Sequence, residues 1–142
     1  MKKQTSQLWT LGALVASASL GLSTPAFASN SVELAPVQEL KVLGRDKALA
    51  VLPSGLALYT FDPDKGAPQP ACNGACAERW PPVLVEESEI KDNPELGTIK
   101  RASGLSQLTI GGKPVYTFFL DRKTGDLKGD GLGGVWHLIE LY

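Results

Sequence analysis

Methionine, histidine and cysteine are nearly missing from this 142-residue chain, which holds one, one and two of them. Thioether copper sites and multi-histidine metal centres need more of these residues than Met1 and His137 supply. A basic excess is missing as well. Beyond Lys2 and Lys3 the chain carries 12 basic and 15 acidic residues with no basic cluster, so no nucleic-acid or anionic-membrane partner is expected. Nor is there a run of about 20 strongly apolar residues to span a bilayer. The nearest candidate, residues 11–22, is diluted by Ala, Ser and Gly. It follows Lys2 and Lys3 and precedes Ala26-Phe27-Ala28, the small-residue pattern of a cleavage site. These features describe a secretory signal over residues 1–28. The expected product starts at Ser29, is periplasmic or secreted, and has no stable membrane insertion after cleavage. The only cysteines are Cys72 and Cys76, so the cleavage point offers none for lipid attachment.

What remains is 114 residues, enough for one domain with one core. Residues 29–40 read as a flexible lead-in and 41–142 as a single β domain. Its aromatic side chains are few but ordered. Tyr59-Thr60-Phe61-Asp62-Pro63-Asp64 and Tyr116-Thr117-Phe118-Phe119-Leu120-Asp121 share the pattern Tyr-x-Phe-x-x-Asp, 57 residues apart. Trp80 and Trp136 lie 21 and 20 residues beyond their tyrosines. One module is therefore used twice, with repeat one at about 41–85, an acidic connector at 86–95 and repeat two at about 96–142. Aromatic residues bury the most area per side chain. Tyr59, Phe61, Trp80 and Tyr116, Phe118, Trp136 should nucleate a pseudo-symmetric core.

Short apolar runs at 48–52 and 56–61, split by Pro53-Ser54-Gly55, read as a β-hairpin; 107–110 and 115–120, split by Gly111-Gly112-Lys113, read as another. A strand at 98–101 precedes the turn at Ala102-Ser103-Gly104, and residues 135–142 alternate like one last strand. A period of two puts Tyr and Phe of each motif on one face. No long helical period occurs, and 75–79 makes at most one turn. The expected fold is all-β: two pseudo-symmetric repeats of short antiparallel strands in a small sandwich or partly closed barrel.

At these residues the chain resembles the secreted-repeat family of bacterial envelope proteins, often lipoproteins, marked by Tyr-x-(Phe/Trp/Tyr)-x-x-Asp. The likeness runs from about Val42 to the end and includes Cys72-Asn73-Gly74-Ala75-Cys76-Ala77, Trp80-Pro81-Pro82, Leu96-Gly97-Thr98-Ile99 with Arg101, Gln107-Leu108-Thr109 and Gly131-Leu132-Gly133-Gly134-Val135-Trp136. Two departures are the missing lipid-bearing cysteine and Ser103 where the family often has Asp before Gly. The resemblance implies no activity.

The candidate chemistry is sparse. Cys72 and Cys76, in an exported chain, are expected to form a disulfide, worth about 2 kcal/mol by loop entropy; the rival reading is a redox-active pair. Haem attachment lacks the histidine after Cys76, where Ala77 stands, and zinc lacks two ligands. Asp64 and Asp121 are expected to accept backbone N–H bonds that close the loops after the motif strands. Calcium would draw on Asp62, Asp126 and Asp130, but the ligand order of a calcium loop is absent. The hydroxyls of Tyr59 and Tyr116 should bond inside the fold. Were the motif aromatics exposed instead, they would line a cleft for a flat apolar or quinone-like ligand. His137 lies on the strand face opposite Trp136. The expected function is a non-enzymatic periplasmic binding or envelope accessory module without a cofactor, its partner an envelope protein or a small ligand. The alternative is an envelope redox or metal-handling accessory that uses the cysteine pair and His137.

Overall fold

The computed structural model describes residues 37–42, 44–90 and 92–141. The segment expected to be a signal and most of the expected lead-in lie outside them. The described chain is all-β and sandwich-like, with strands β1 (Gln38–Leu40), β2 (Ala48–Val51), β3 (Tyr59–Phe61), β4 (Leu96–Lys100), β5 (Ser106–Ile110), β6 (Lys113–Pro114), β7 (Trp136–Leu138) and β8 (Glu140–Leu141). They form three small antiparallel sheets, ordered β1-β2-β8, β3-β7 and β4-β5-β6, and these do not close into a barrel. Two short α-helices, α1 (Ala75–Arg79) and α2 (Glu87–Ile90), and two 3-10 turns, Asp62–Asp64 and Leu132–Gly134, complete the set among the described residues.

Both hairpins form where the turn residues call for them. Gly55 and Leu52 close the first, the Gly55 N–H donating to the Leu52 carbonyl at 2.7 Å. The second turns on Gly111 and Gly112, both at positive φ (54° and 76°), the geometry that a two-residue hairpin requires. Helix α1 occupies the single turn expected at 75–79.

Other elements differ from the sequence expectation, each for a physical reason. The end of the lead-in is not loose, because Gln38–Leu40 pairs with β2. The connector contains α2, whose Ile90 packs against the core. The last described residues make two strands where one was expected over 135–142, since the chain changes partner at Ile139: β7 pairs with β3, and β8 with β2. Residues 115–120 form isolated bridges instead of a full strand. Their partner segment contains Pro81 and Pro82, which have no N–H to donate, so the pairing is interrupted there: Thr117 N–H donates to the Pro81 carbonyl at 2.9 Å, and the return bond comes only at Val83, whose N–H donates to the Val115 carbonyl at 3.0 Å.

The strand pairing exchanges segments between the repeats. The motif strand of repeat one, β3, pairs with β7 of repeat two. The motif segment of repeat two pairs with Pro82 of repeat one. Likewise β2 is extended by β8, and β5 by residues 83–85, where Leu108 N–H donates to the Val83 carbonyl at 2.7 Å. At the centre Tyr59 and Tyr116 exchange both backbone bonds, 2.8 and 3.0 Å long, on a local two-fold axis.

The central strands are covered on both faces, so two clusters flank them in place of the single core expected. Leu49, Ala57, Tyr59, Trp80, Tyr116, Phe118, Trp136 and Leu138 gather on one side with Cys72. Ala50, Leu52, Leu58, Val83, Val85, Leu108 and Val115 gather on the other. Adjacent residues such as Leu58 and Tyr59 are both fully buried because a strand sends alternate side chains to opposite faces.

Two of the three sheets draw strands from both repeats, and the third is bridged by residues 83–85, so the two halves should hold together without a covalent link. A protease site inserted between exposed Asp92 and Asn93 tests this. The cut halves are expected to co-elute in native gel filtration and part only in denaturant; separation under native conditions would contradict the exchanged pairing.

Candidate functional site

The motif residues come together as one buried network in which each repeat holds the other. The Tyr59 hydroxyl donates to Asp121 Oδ2 at 2.6 Å, and the Tyr116 hydroxyl to Asp64 Oδ2 at 2.8 Å. The second oxygen of each carboxylate closes its own loop seven residues on. Asp64 Oδ1 accepts the Ala71 N–H at 2.7 Å and Asp121 Oδ1 the Lys128 N–H at 3.0 Å. The loop-closing role expected of Asp64 and Asp121 is present, and the crossed tyrosine bond adds to it. Gly129 N–H donates back to the Tyr59 oxygen at 3.2 Å.

Both tyrosines are fully buried, and both hydroxyls hold their protons well above the ordinary tyrosine range. Burial is the larger cause and the neighbouring carboxylate the next. A carboxylate at hydrogen-bond distance favours a protonated phenol, since a phenolate beside it would repel it.

The aromatic rings repeat the symmetry. Trp80 and Trp136 stack across the axis with centroids 3.7 Å apart and planes 4° from parallel. Each meets the tyrosine of its own repeat edge-on, at 5.3 and 5.2 Å. Each also lies against the phenylalanine of the other repeat, Phe61 on Trp136 at 4.2 Å and Phe118 on Trp80 at 4.3 Å. Tyr59, Tyr116, Trp80, Phe118 and Trp136 are thus core residues, and only Phe61 is partly open. An aromatic cleft built from all four motif rings does not form, because the rings pack on one another.

Cys72 and Cys76 are joined in a disulfide. Cys72 is fully buried, and its loop is fastened to repeat two by Arg101, whose Nη2 donates to the Cys72 carbonyl at 2.8 Å and to Asn73 Oδ1 at 2.9 Å. Arg101 Nη1 also donates to Oε1 of the buried Gln107 at 2.7 Å. Repeat one mirrors this clamp with Arg45 and Asp130, 3.1 Å apart. Sequence reading missed the pair of clamps, although Arg45 and Arg101 stand 56 residues apart and Asn73 and Asp130 57 apart. The disulfide has no counterpart, because Gly129 stands where Cys72 would repeat, and a Cβ there would come within 2.6 Å of the Trp80 ring.

The weak metal candidates are dispersed into separate jobs. His137 is exposed and its Nε2 lies 3.0 Å from Asp62 Oδ2. Asp126 accepts the backbone N–H groups of Arg122 and Lys123, and the Arg122 bond leads the causes that hold its carboxyl below the usual range. Asp130 joins Arg45 and accepts the Leu138 N–H. No three His, Cys, Asp or Glu gather among the described residues.

Fold and network together define a two-repeat all-β protein whose repeats are interlocked through their shared motif. The chain belongs to the family described as a secreted repeat of unknown function, which it matches over residues 46–84 and 97–140. No curated protein and no solved structure matches the chain. Among the described residues no helix is long and apolar enough to cross a membrane.

The crossed bonds make stability sensitive to alkali. An unfolded tyrosine ionises near pH 10. The folded tyrosines keep their protons beyond that, so above about pH 10 the unfolded chain sheds protons that the folded chain retains. Stability then falls as pH rises, by up to ~1.4 kcal/mol per pH unit for each tyrosine. Melting curves from pH 8 to 11.5 should show this decline, shallower in Tyr59→Phe and Tyr116→Phe. Each variant should also lose ~1–3 kcal/mol at neutral pH, because it strands a buried carboxylate oxygen. A variant with the parent's alkaline slope would show that its tyrosine is not protected.

Proposed function

We propose that this secreted repeat protein is a non-enzymatic module of the periplasm or the cell exterior, acting by binding an envelope protein or a small ligand through the loops that the motif supports. One observation carries this reading: the repeated Tyr and Asp side chains of the two motifs are used within the fold. The hydroxyls of Tyr59 and Tyr116 and all four oxygens of Asp64 and Asp121 bond to each other and to backbone N–H groups. None of these groups is left to serve as nucleophile or general base, tasks that require a side chain able to reach a substrate. The full burial of Cys72 and the Arg101 bond that fastens its loop favour a structural disulfide.

Fractionation of producing cells tests the location. A chain starting at Ser29 is expected in osmotic-shock fluid or medium, and an uncleaved chain in the membrane pellet would contradict it. The scaffold role of the motif has its own test. At a temperature where Tyr59→Phe remains folded, it should complement a deletion strain as fully as the parent, and failure to do so would give the hydroxyl a role beyond the fold.

A further inference from the structure

Besides the disulfide, the local two-fold symmetry breaks beside one hairpin turn. In each half the loop after the motif faces the hairpin turn of the other repeat. In the second half the two are in contact, because Thr124 fills the space beside Gly55; a Cβ on that glycine would lie 1.8 Å from Thr124 Oγ1. In the first half Ala67 stands where Thr124 would repeat. A Cβ on Gly112, the partner of Gly55, would meet nothing within 4 Å. The neighbouring ring, Phe61, is partly open too. Phe118 is capped edge-on by Phe119 at 5.2 Å and is only 6% exposed, whereas the position after Phe61 is Asp62. The result is a crevice of about 370 Å³ whose lining includes Phe61, Pro114, Asp62, Asp64, Lys65 and Lys113.

Charge decides what suits it. The two carboxylates in the lining already have partners: Asp62 meets His137, and Asp64 holds Tyr116 and the Ala71 N–H. Lys65 and Lys113 enter none of the ion pairs among the described residues. Phe61 and two lysines outside those ion pairs therefore line one recess, a composition that suits a flat apolar body with a negative end.

We propose that this crevice is a binding site for small aromatic carboxylates, with Phe61 and Pro114 receiving the ring and Lys65 and Lys113 the carboxylate. It rests on the binding-module reading above and names that module's ligand class. The probe is 4-hydroxybenzoate, titrated into ¹⁵N-labelled mature protein, beside 4-hydroxybenzamide, which has the same ring and no charge. The carboxylate is expected to bind with a Kd below about 1 mM, shifting the amides of residues 60–66 and 111–113, and the amide probe to bind at least tenfold more weakly. Lys65→Gln with Lys113→Gln should weaken the carboxylate at least tenfold at unchanged melting temperature, both side chains being exposed. Equal binding of the two probes, unchanged binding by the lysine variant, or no shifts in these segments at 10 mM would each overturn the assignment. Cell fractionation and the complementation by Tyr59→Phe are independent of that outcome, so failure of the site and failure of the module reading are told apart.

Discussion

A carboxylate buried in an apolar core is tolerated only when its oxygens are bonded, and a buried phenol needs an acceptor. Asp64 and Asp121 meet both demands at once by taking one bond from a loop N–H of their own repeat and one from the tyrosine of the other. The loop bond sets where each carboxylate stands, and the crossed bond sets where the partner repeat must be. Removing either tyrosine oxygen leaves a charged acceptor short of a donor in a site that water does not reach. Among the described residues no buried side-chain polar atom lacks a partner, so the network carries its charge without an unpaired member.

The rest of the architecture follows from that crossing. With each tyrosine pinned to the far repeat, Tyr59 and Tyr116 meet backbone to backbone, and the two tryptophans meet face to face on the same axis. Motif strands then lie beside the tryptophan-bearing segments of the opposite repeat, and the outer strands are exchanged as well. The clamps Arg45–Asp130 and Arg101–Asn73 hold the outer loops in place. Symmetry is kept where packing requires it and lost where loops are free to differ. The disulfide is present in one half only, and the crevice beside Phe61 is open in one half only.

The local features were legible in the sequence. Hairpin turns at Pro53-Ser54-Gly55 and Gly111-Gly112, the helical turn at 75–79 and the Cys72–Cys76 bridge all depend on residues close together in the chain. The repeat itself was legible because Tyr, Phe and Asp return at one spacing. Its exchange was not, because Tyr59 could meet an aspartate of either repeat without any change in pattern. The clamps were hidden for a different reason: Asn73 and Asp130 do the same job with different side chains, so matching identities passes over them. The change of partner at Ile139 leaves no Gly, Pro or turn residue in the run from Val135 to Leu141, which therefore reads as one strand although two sheets share it. The open crevice was out of reach, since it depends on Ala67 leaving empty a space that Thr124 fills in the other half.

The crossing is tested most directly by two double-mutant cycles sharing one tyrosine. Tyr59→Phe is combined with Asp121→Asn in one cycle and with Asp64→Asn in the other, and the unfolding free energy of each protein is measured in urea. Crossed pairing predicts coupling of ~1–3 kcal/mol between Tyr59 and Asp121 and additivity within ~0.5 kcal/mol between Tyr59 and Asp64. Strong coupling of Tyr59 to Asp64 with none to Asp121 would mean that each repeat holds its own tyrosine, and would contradict the interlocked fold.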